Sequence, residues 1–139
     1  MEALYKAKTM LNEGYTCVLC SQDKTYTATA RGISPVLSFL DSGEDLSSFC
    51  AADKVVGKAT AFLYTLLKIR AIYAPVMSRA ALEILREHGI YAEYDVLTDA
   101  VLNHKKDGLC PMEAATLQLD PPTDVLAAIR LTLQRLRKA

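Results

Sequence analysis

Tryptophan is absent from this chain of 139 residues, histidine occurs only twice, and there are just 6 glycines and 5 prolines. So little glycine and proline excludes a collagen-like or low-complexity chain. Net charge is also missing, because 16 Lys and Arg balance 16 Asp and Glu. No overall positive field therefore favours nucleic acid or an anionic membrane, and neither partner is expected. No run of 18 apolar residues occurs, and Glu2, Lys6 and Lys8 interrupt the stretch where a secretory signal would be apolar. The expected location is the cytoplasm. What the chain does have is 51% hydrophobic and 23% charged residues, the balance of one soluble globular domain over residues 1–139. A chain of this length buries roughly 68% of the surface its unfolded form exposes, enough for a core without a staple.

Four cysteines, Cys17, Cys20, Cys50 and Cys110, are too few for a disulfide framework at this length. Cys17-x-x-Cys20 has metal-knuckle spacing but lies in a β-rich run, where residues three apart point to opposite faces. His88 and His104 have no partner at zinc-motif spacing. No metal site and no cofactor are expected, and the thiols read as reduced.

Ala3, Leu4, Ala7, Met10 and Leu11 recur at helical spacing, with Gly14 just past the end. Residues 15–21 and 25–31 are short β-rich runs that predict an antiparallel hairpin. Ser34-Pro35 supplies an N-cap and a first helical residue for a short helix ended by Ser42-Gly43. Asp53 then caps a central helix over 54–67, whose apolar residues cover most of its circumference and predict burial on several sides. Residues 71–77 form a strand, Ser78 caps a helix over 79–88 that stops at Gly89, and 90–97 form the next strand. Strand, helix, strand with short links makes the two strands parallel. A hairpin plus a parallel pair predicts a mixed sheet of about four strands. Beyond it come a polar loop ending at Gly108, a helix opening at Cys110-Pro111-Met112-Glu113, a break at Asp120-Pro121-Pro122 and a last helix capped by Thr123.

In this order the elements resemble the cytidine-deaminase-like fold, a three-layer α/β/α arrangement around a mixed sheet. The resemblance is specific at Cys-Ala-Ala-Asp-Lys-Val-Val-Gly-Lys-Ala, residues 50–59, and at Gly-Leu-Cys-Pro-Met-Glu, residues 108–113. Both look like a small prokaryotic family of unknown function placed in that superfamily, over nearly the whole chain. The resemblance implies a fold and a site between two helix N-termini. Deaminases of that superfamily hold zinc there with an H-x-E-type motif and P-C-x-x-C. Here the corresponding stretches run from Ala51 through Asp53 and Lys54 to Val55, and from Pro75 through Ser78 to Ala81. Both zinc motifs are missing, and without metal-activated water hydrolytic deamination has no nucleophile.

The helix N-termini keep their unpaired N–H groups and the positive end of the dipole, which suit an anionic or nucleotide-like ligand. Asp53, Lys54, Cys110 and Glu113 are the candidate catalytic groups; Gly57, Lys58 and Ser78 are the candidate ligand-binding residues. As helix residues one turn apart, Lys54 and Lys58 would share a face, and Gly57 within the helix would admit a close approach. Cys110 and Glu113 have capping-box spacing, and a thiol at a helix N-terminus is activated by the dipole. The bland alternative is a capped helix with two solvated lysines and a small buried Cys110. Two functions follow: a small-molecule pocket with catalysis open to it, or a non-catalytic sensory or protein-interaction module that has lost deaminase chemistry. Self-association is left open by the sequence.

Overall fold

A computed structural model describes residues 2–30, 33–99, 127 and 129–131. Helix α1 (Glu2–Leu11) forms where the apolar stripe places it, burying Leu4, Ala7 and Leu11. Strands β1 (Cys17–Cys20) and β2 (Thr25–Ala28) pair antiparallel as the expected hairpin. In α2 (Ser34–Asp41) Pro35 sits in the first turn, but the residue ahead of the helix is Ile33 and Ser34 is already helical, so the serine is not the cap.

The largest correction falls between residues 50 and 67. The chain first forms β3 (Cys50–Asp53) and β4 (Val55–Val56), and only then α3 (Lys58–Leu67). Asp53 therefore ends a strand instead of capping a helix, and Gly57 is the extended N-cap of α3, not a residue within it. Alanine and aspartate are weak strand formers, so local propensity disguised β3; pairing with β1 and β5 overrides it. Burial of α3 on several sides is as expected, with Ala59, Ala61, Phe62, Leu63, Tyr64 and Leu67 all in the core. Strand β5 (Ala71–Ser78), helix α4 (Arg79–Glu87) and strand β6 (Tyr91–Thr98) complete the described order. Ser78 Oγ accepts the Ala81 N–H at 3.1 Å as the predicted cap, and Gly89, at φ 72°, turns the chain out of α4 in the left-handed region open to glycine.

Among the described residues the sheet has six strands, not about four. β1 pairs antiparallel with β2 and β3, while β3, β4 and β6 all run parallel to β5. Helix α1 covers one face through Leu4, Ala7 and Leu11 against Val18, Cys20, Cys50, Ala52, Ala71 and Tyr73. Helices α2, α3 and α4 cover the other, together with the buried Ile129. The helical residues at 127 and 129–131 are tied to α2 by Arg130, whose Nη2 lies 2.6 Å from Asp41 Oδ1.

A crease crosses three of these strands at one level. β3 and β4 lie against the same edge of β5 with the same shift along the chain, Ala52 opposite Tyr73 and Val55 opposite Val76, so they are two parts of one interrupted strand. On the other edge Ala74 opposes Tyr94 and Val76 opposes Val96, so both ladders skip Pro75. Proline has no N–H to give a ladder. Strict alternation would put every second residue on one face, yet Ala74 and Met77 share the α3 face, as do Tyr94 and Leu97, and Ala51 and Val56. Each strand thus carries one extra residue at the crease. Register survives, the faces exchange, and Val55 and Val96 emerge about half exposed in one row with Val76.

Ser78 is fully buried beyond this crease. Ser78→Ala should lower the free energy of unfolding by about 1 kcal/mol, because the Ala81 N–H loses its acceptor. An unchanged urea midpoint would show that the cap contributes nothing.

Candidate functional site

Two groups of residues stand out at the crease. The first is sealed inside it. Lys54 donates its N–H to Thr16 O at 3.2 Å, so the opposed pair Cys17 and Asp53 is a non-hydrogen-bonded one, in which side chains come closest. Both point to the α3 face, where Tyr64 descends between them. Tyr64 Oη donates to Asp53 Oδ2 at 2.8 Å and lies 3.3 Å from Cys17 Sγ. All three are buried, Tyr64 completely.

Burial dominates their titration. It pushes the Asp53 carboxyl up to about 7, against the opposing pull of the Tyr64 hydroxyl and the N–H groups of Val55 and Lys54. The Val55 N–H belongs to the break between β3 and β4, so the carboxylate also satisfies backbone that the crease sets free, whereas the Lys54 N–H stays in the ladder with Thr16. Burial, aided by the Asp53 charge, lifts the Cys17 thiol far above its ordinary value, and burial lifts the Tyr64 phenol well above its own. The trio can hold or release a proton near neutrality, but as a nucleophile Cys17 is silent. Sequence reasoning picked Asp53 for the wrong reason and missed Cys17 and Tyr64; the available signal was an aspartate in an otherwise alanine-rich buried run, which needs a donor.

The second group lies where the strands end. Val56 opposes Met77, and one residue further come Gly57 and Ser78, the N-caps of α3 and α4. The two helices therefore start side by side at the C-terminal ends of adjacent parallel strands, the edge where open α/β sheets bind ligands. Gly57 gives α3 no side-chain cap, whereas Ser78 caps α4. Lys58, in the first turn of α3, is 8% exposed, its ammonium 5.9 Å from the centre of the Phe62 ring.

Gly57, Lys58 and Ser78 are thus brought together at one strand end, and Asp53 lies further back on β3. Lys54 is not: it is exposed and borders a groove with Leu11, Asn12, Gly14, Val55 and Pro75, so it does not share a helix face with Lys58. Cys110 and Glu113, the loop around His104 and the cap at Thr123 lie outside the described residues. Cys17 and Cys20 face opposite sides of the sheet, so they cannot share an ion. Among the described residues, no three His, Cys, Asp or Glu side chains gather around a point that would hold a metal, and no helix is long and apolar enough to cross a membrane. The Tyr64 hydroxyl is engaged by Asp53, and Tyr73 donates to Asp95 while Lys8 lies 4.5 Å over its ring.

These features define an open mixed-sheet α/β protein with paired helix starts at one strand end. The chain belongs to the family described as TM1506, a domain of unknown function (DUF1893), which matches residues 6–133. It is similar to the crystal structure of a DUF1893 family protein (TM1506) from Thermotoga maritima, with a TM-score of 0.85 and 26% identity over 96% of this chain and 90% of that one. A comparison with the curated proteins finds no match.

The buried carboxyl makes stability depend on pH. Asp53 holds its proton up to about 7 in the folded chain but only to about 3.9 when unfolded. The folded state therefore binds more protons in between. The stabilisation is complete below about pH 4, falls as pH rises, and is lost above about 7, a change on the order of 4 kcal/mol. Asp53→Asn, which still accepts from Tyr64, should flatten this slope and be the more stable form at pH 8. Parallel slopes for variant and parent in urea titrations from pH 5 to 8 would contradict the assignment.

Proposed function

We propose that the chain is a small-molecule-binding protein on a deaminase-like fold without zinc chemistry, and that its ligand is an anion, nucleotide-like or smaller, seated on Gly57, Lys58 and Ser78. The observation that carries this reading is the side-by-side start of α3 and α4 with Lys58 buried at the positive end of α3. A cation at a helix N-terminus is opposed by the dipole, and two such termini together with an ammonium concentrate positive potential at one strand end. A phosphate or carboxylate would be drawn to that end. Gly57 leaves the first-turn N–H groups of α3 without a side-chain cap.

The order of elements supports the deaminase-like reading, and the same two helix starts are where that fold would bind zinc. With α3 beginning at Lys58, the relevant residues are Gly57-Lys58-Ala59 and Ser78-Arg79-Ala80-Ala81, which include no good zinc ligand. Asp53 is a proton store further back on β3, and Lys54 belongs to another face. Cys110 and Glu113, outside the described residues, remain candidate catalytic groups. The sealing of Asp53 from solvent favours the second reading, a sensory module that binds its ligand without turning it over.

Thermal unfolding in pyrophosphate, nucleoside monophosphates and the parent nucleosides separates the cases. An anion at 100 times its dissociation constant should stabilise by about 2.7 kcal/mol, nucleosides should do nothing, and Lys58→Gln should abolish the gain. No shift with any anion, or an undiminished shift in Lys58→Gln, would refute the pocket. Elemental analysis should find far less than one equivalent of zinc; a full equivalent would refute the metal-free reading.

A further inference from the structure

At the opposite end of the sheet β1 finishes with Cys20 and β3 begins with Cys50, and the antiparallel register sets these two residues against each other. The Lys54 N–H to Thr16 O bond fixes which pairs are hydrogen-bonded; counting in twos along the ladder, Cys20 and Cys50 form one, with Cα atoms about 5.5 Å apart. That separation lies within the span of about 4.4 to 6.8 Å that disulfides occupy. Both side chains point to the α1 face, and both thiols are free. Cys50 also lines a cavity of about 750 Å³ with Glu2, Ser21, Asp23, Ser48 and Arg70. The backbone of Arg70 is held next to this cysteine, since its N–H donates to Phe49 O at 2.9 Å.

We propose that Cys50 is a site of thiol–disulfide exchange with a low-molecular-weight, amino-acid-derived disulfide, and that Cys20 is its resolving thiol. The cavity offers charges of both signs, Arg70 for a carboxylate and Glu2 and Asp23 for an ammonium, with two serine hydroxyls between. In the first step Cys50 loses its proton to solvent and its thiolate attacks one sulfur of the disulfide R–S–S–R. The S–S bond breaks, one R–S⁻ leaves and takes up a proton, and R–S–Cys50 remains. In the second step Cys20 loses its proton, its thiolate attacks the Cys50 sulfur, and the bond from Cys50 to S–R breaks to expel the other R–S⁻, which takes up a proton. Two protein thiols are oxidised by two electrons and the external disulfide is reduced to two thiols. Burial and the neighbouring Cys20 raise the Cys50 thiol above its ordinary value while the Arg70 guanidinium pulls it back, so exchange quickens as pH rises and slows without Arg70. Cys17 does not compete, being on the other face and held neutral by burial and Asp53. This site shares no residue with the anion pocket, so each can fail alone.

Glutathione disulfide is the probe, with neutral 2-hydroxyethyl disulfide as comparison and peptide mass mapping as readout. The folded protein should acquire a Cys20–Cys50 cross-link. Cys20→Ser should instead stop at a glutathionyl group on Cys50, and Arg70→Gln should slow both reactions through the thiol, but the glutathione reaction at least tenfold more than that of the neutral disulfide. A Cys20→Ser adduct that maps to another cysteine would overturn the proposal. So would a folded parent protein that forms no cross-link while a urea-unfolded sample of it is oxidised. Equal slowing of both probes by Arg70→Gln would overturn the role of the guanidinium in recognition.

Discussion

Pro75 withholds a backbone N–H in the middle of a strand flanked on both sides, and the two ladders of β5 are both broken there. In a sheet covered by helices an unpaired backbone group is costly, so the neighbours adjust as well: β3 gives way to β4, and β6 exchanges its faces at Asp95. Asp53 repairs part of the damage by accepting the Val55 N–H. The acidic residue is thus required by the backbone before any question of function arises. Its burial, its contact with Tyr64 and its affinity for a proton follow from that position.

The same crease sets where the helices begin. On its N-terminal side the faces alternate simply, α1 meeting Val18, Cys20, Cys50 and Ala52 while α3 meets Cys17, Leu19 and Ala51. On its C-terminal side Val56 and Met77 turn inward, and the chain leaves both strands at the next residue. Small residues in β3 let helices on both faces approach the sheet. Polar chemistry then collects at the two strand ends, Gly57, Lys58 and Ser78 at one, Cys20, Cys50 and Arg70 at the other.

Much of this frame was legible. The amphipathic stripe of α1, the hairpin, the Ser78 cap, the stop at Gly89 and the parallel pairing of β5 with β6 each follow from periodicity and turn chemistry. What hid β3 and β4 was the crease itself. A residue gained between Asp53 and Val56 destroys the alternation that marks a strand, and the following Val-Gly-Lys-Ala run continues plausibly into the helix. The candidate site was legible in its members and not in its geometry: Gly57, Lys58 and Ser78 meet because of a register that spans distant segments, while Lys54 turns away because a strand, unlike a helix, sends neighbours to opposite faces. Tyr64 and Cys17 look like core residues by type, and most of their surroundings are core.

A crease shared by three strands also makes their lengths interdependent. Removing one residue from a single loop of such a protein changes only that loop, but removing one at Lys54, Pro75 or Asp95 would restore simple alternation in one strand and leave its neighbours slipped. Val56, Met77 or Leu97 would then turn away from α3 and α4 while the other two stayed. Single-residue deletions at this level should therefore be among the least tolerated in the chain, even though Lys54 and Asp95 are exposed and substitutions that keep the count have room to be accepted. Chain length between the crease and the strand ends, more than residue identity, is therefore the property that this part of the sheet constrains.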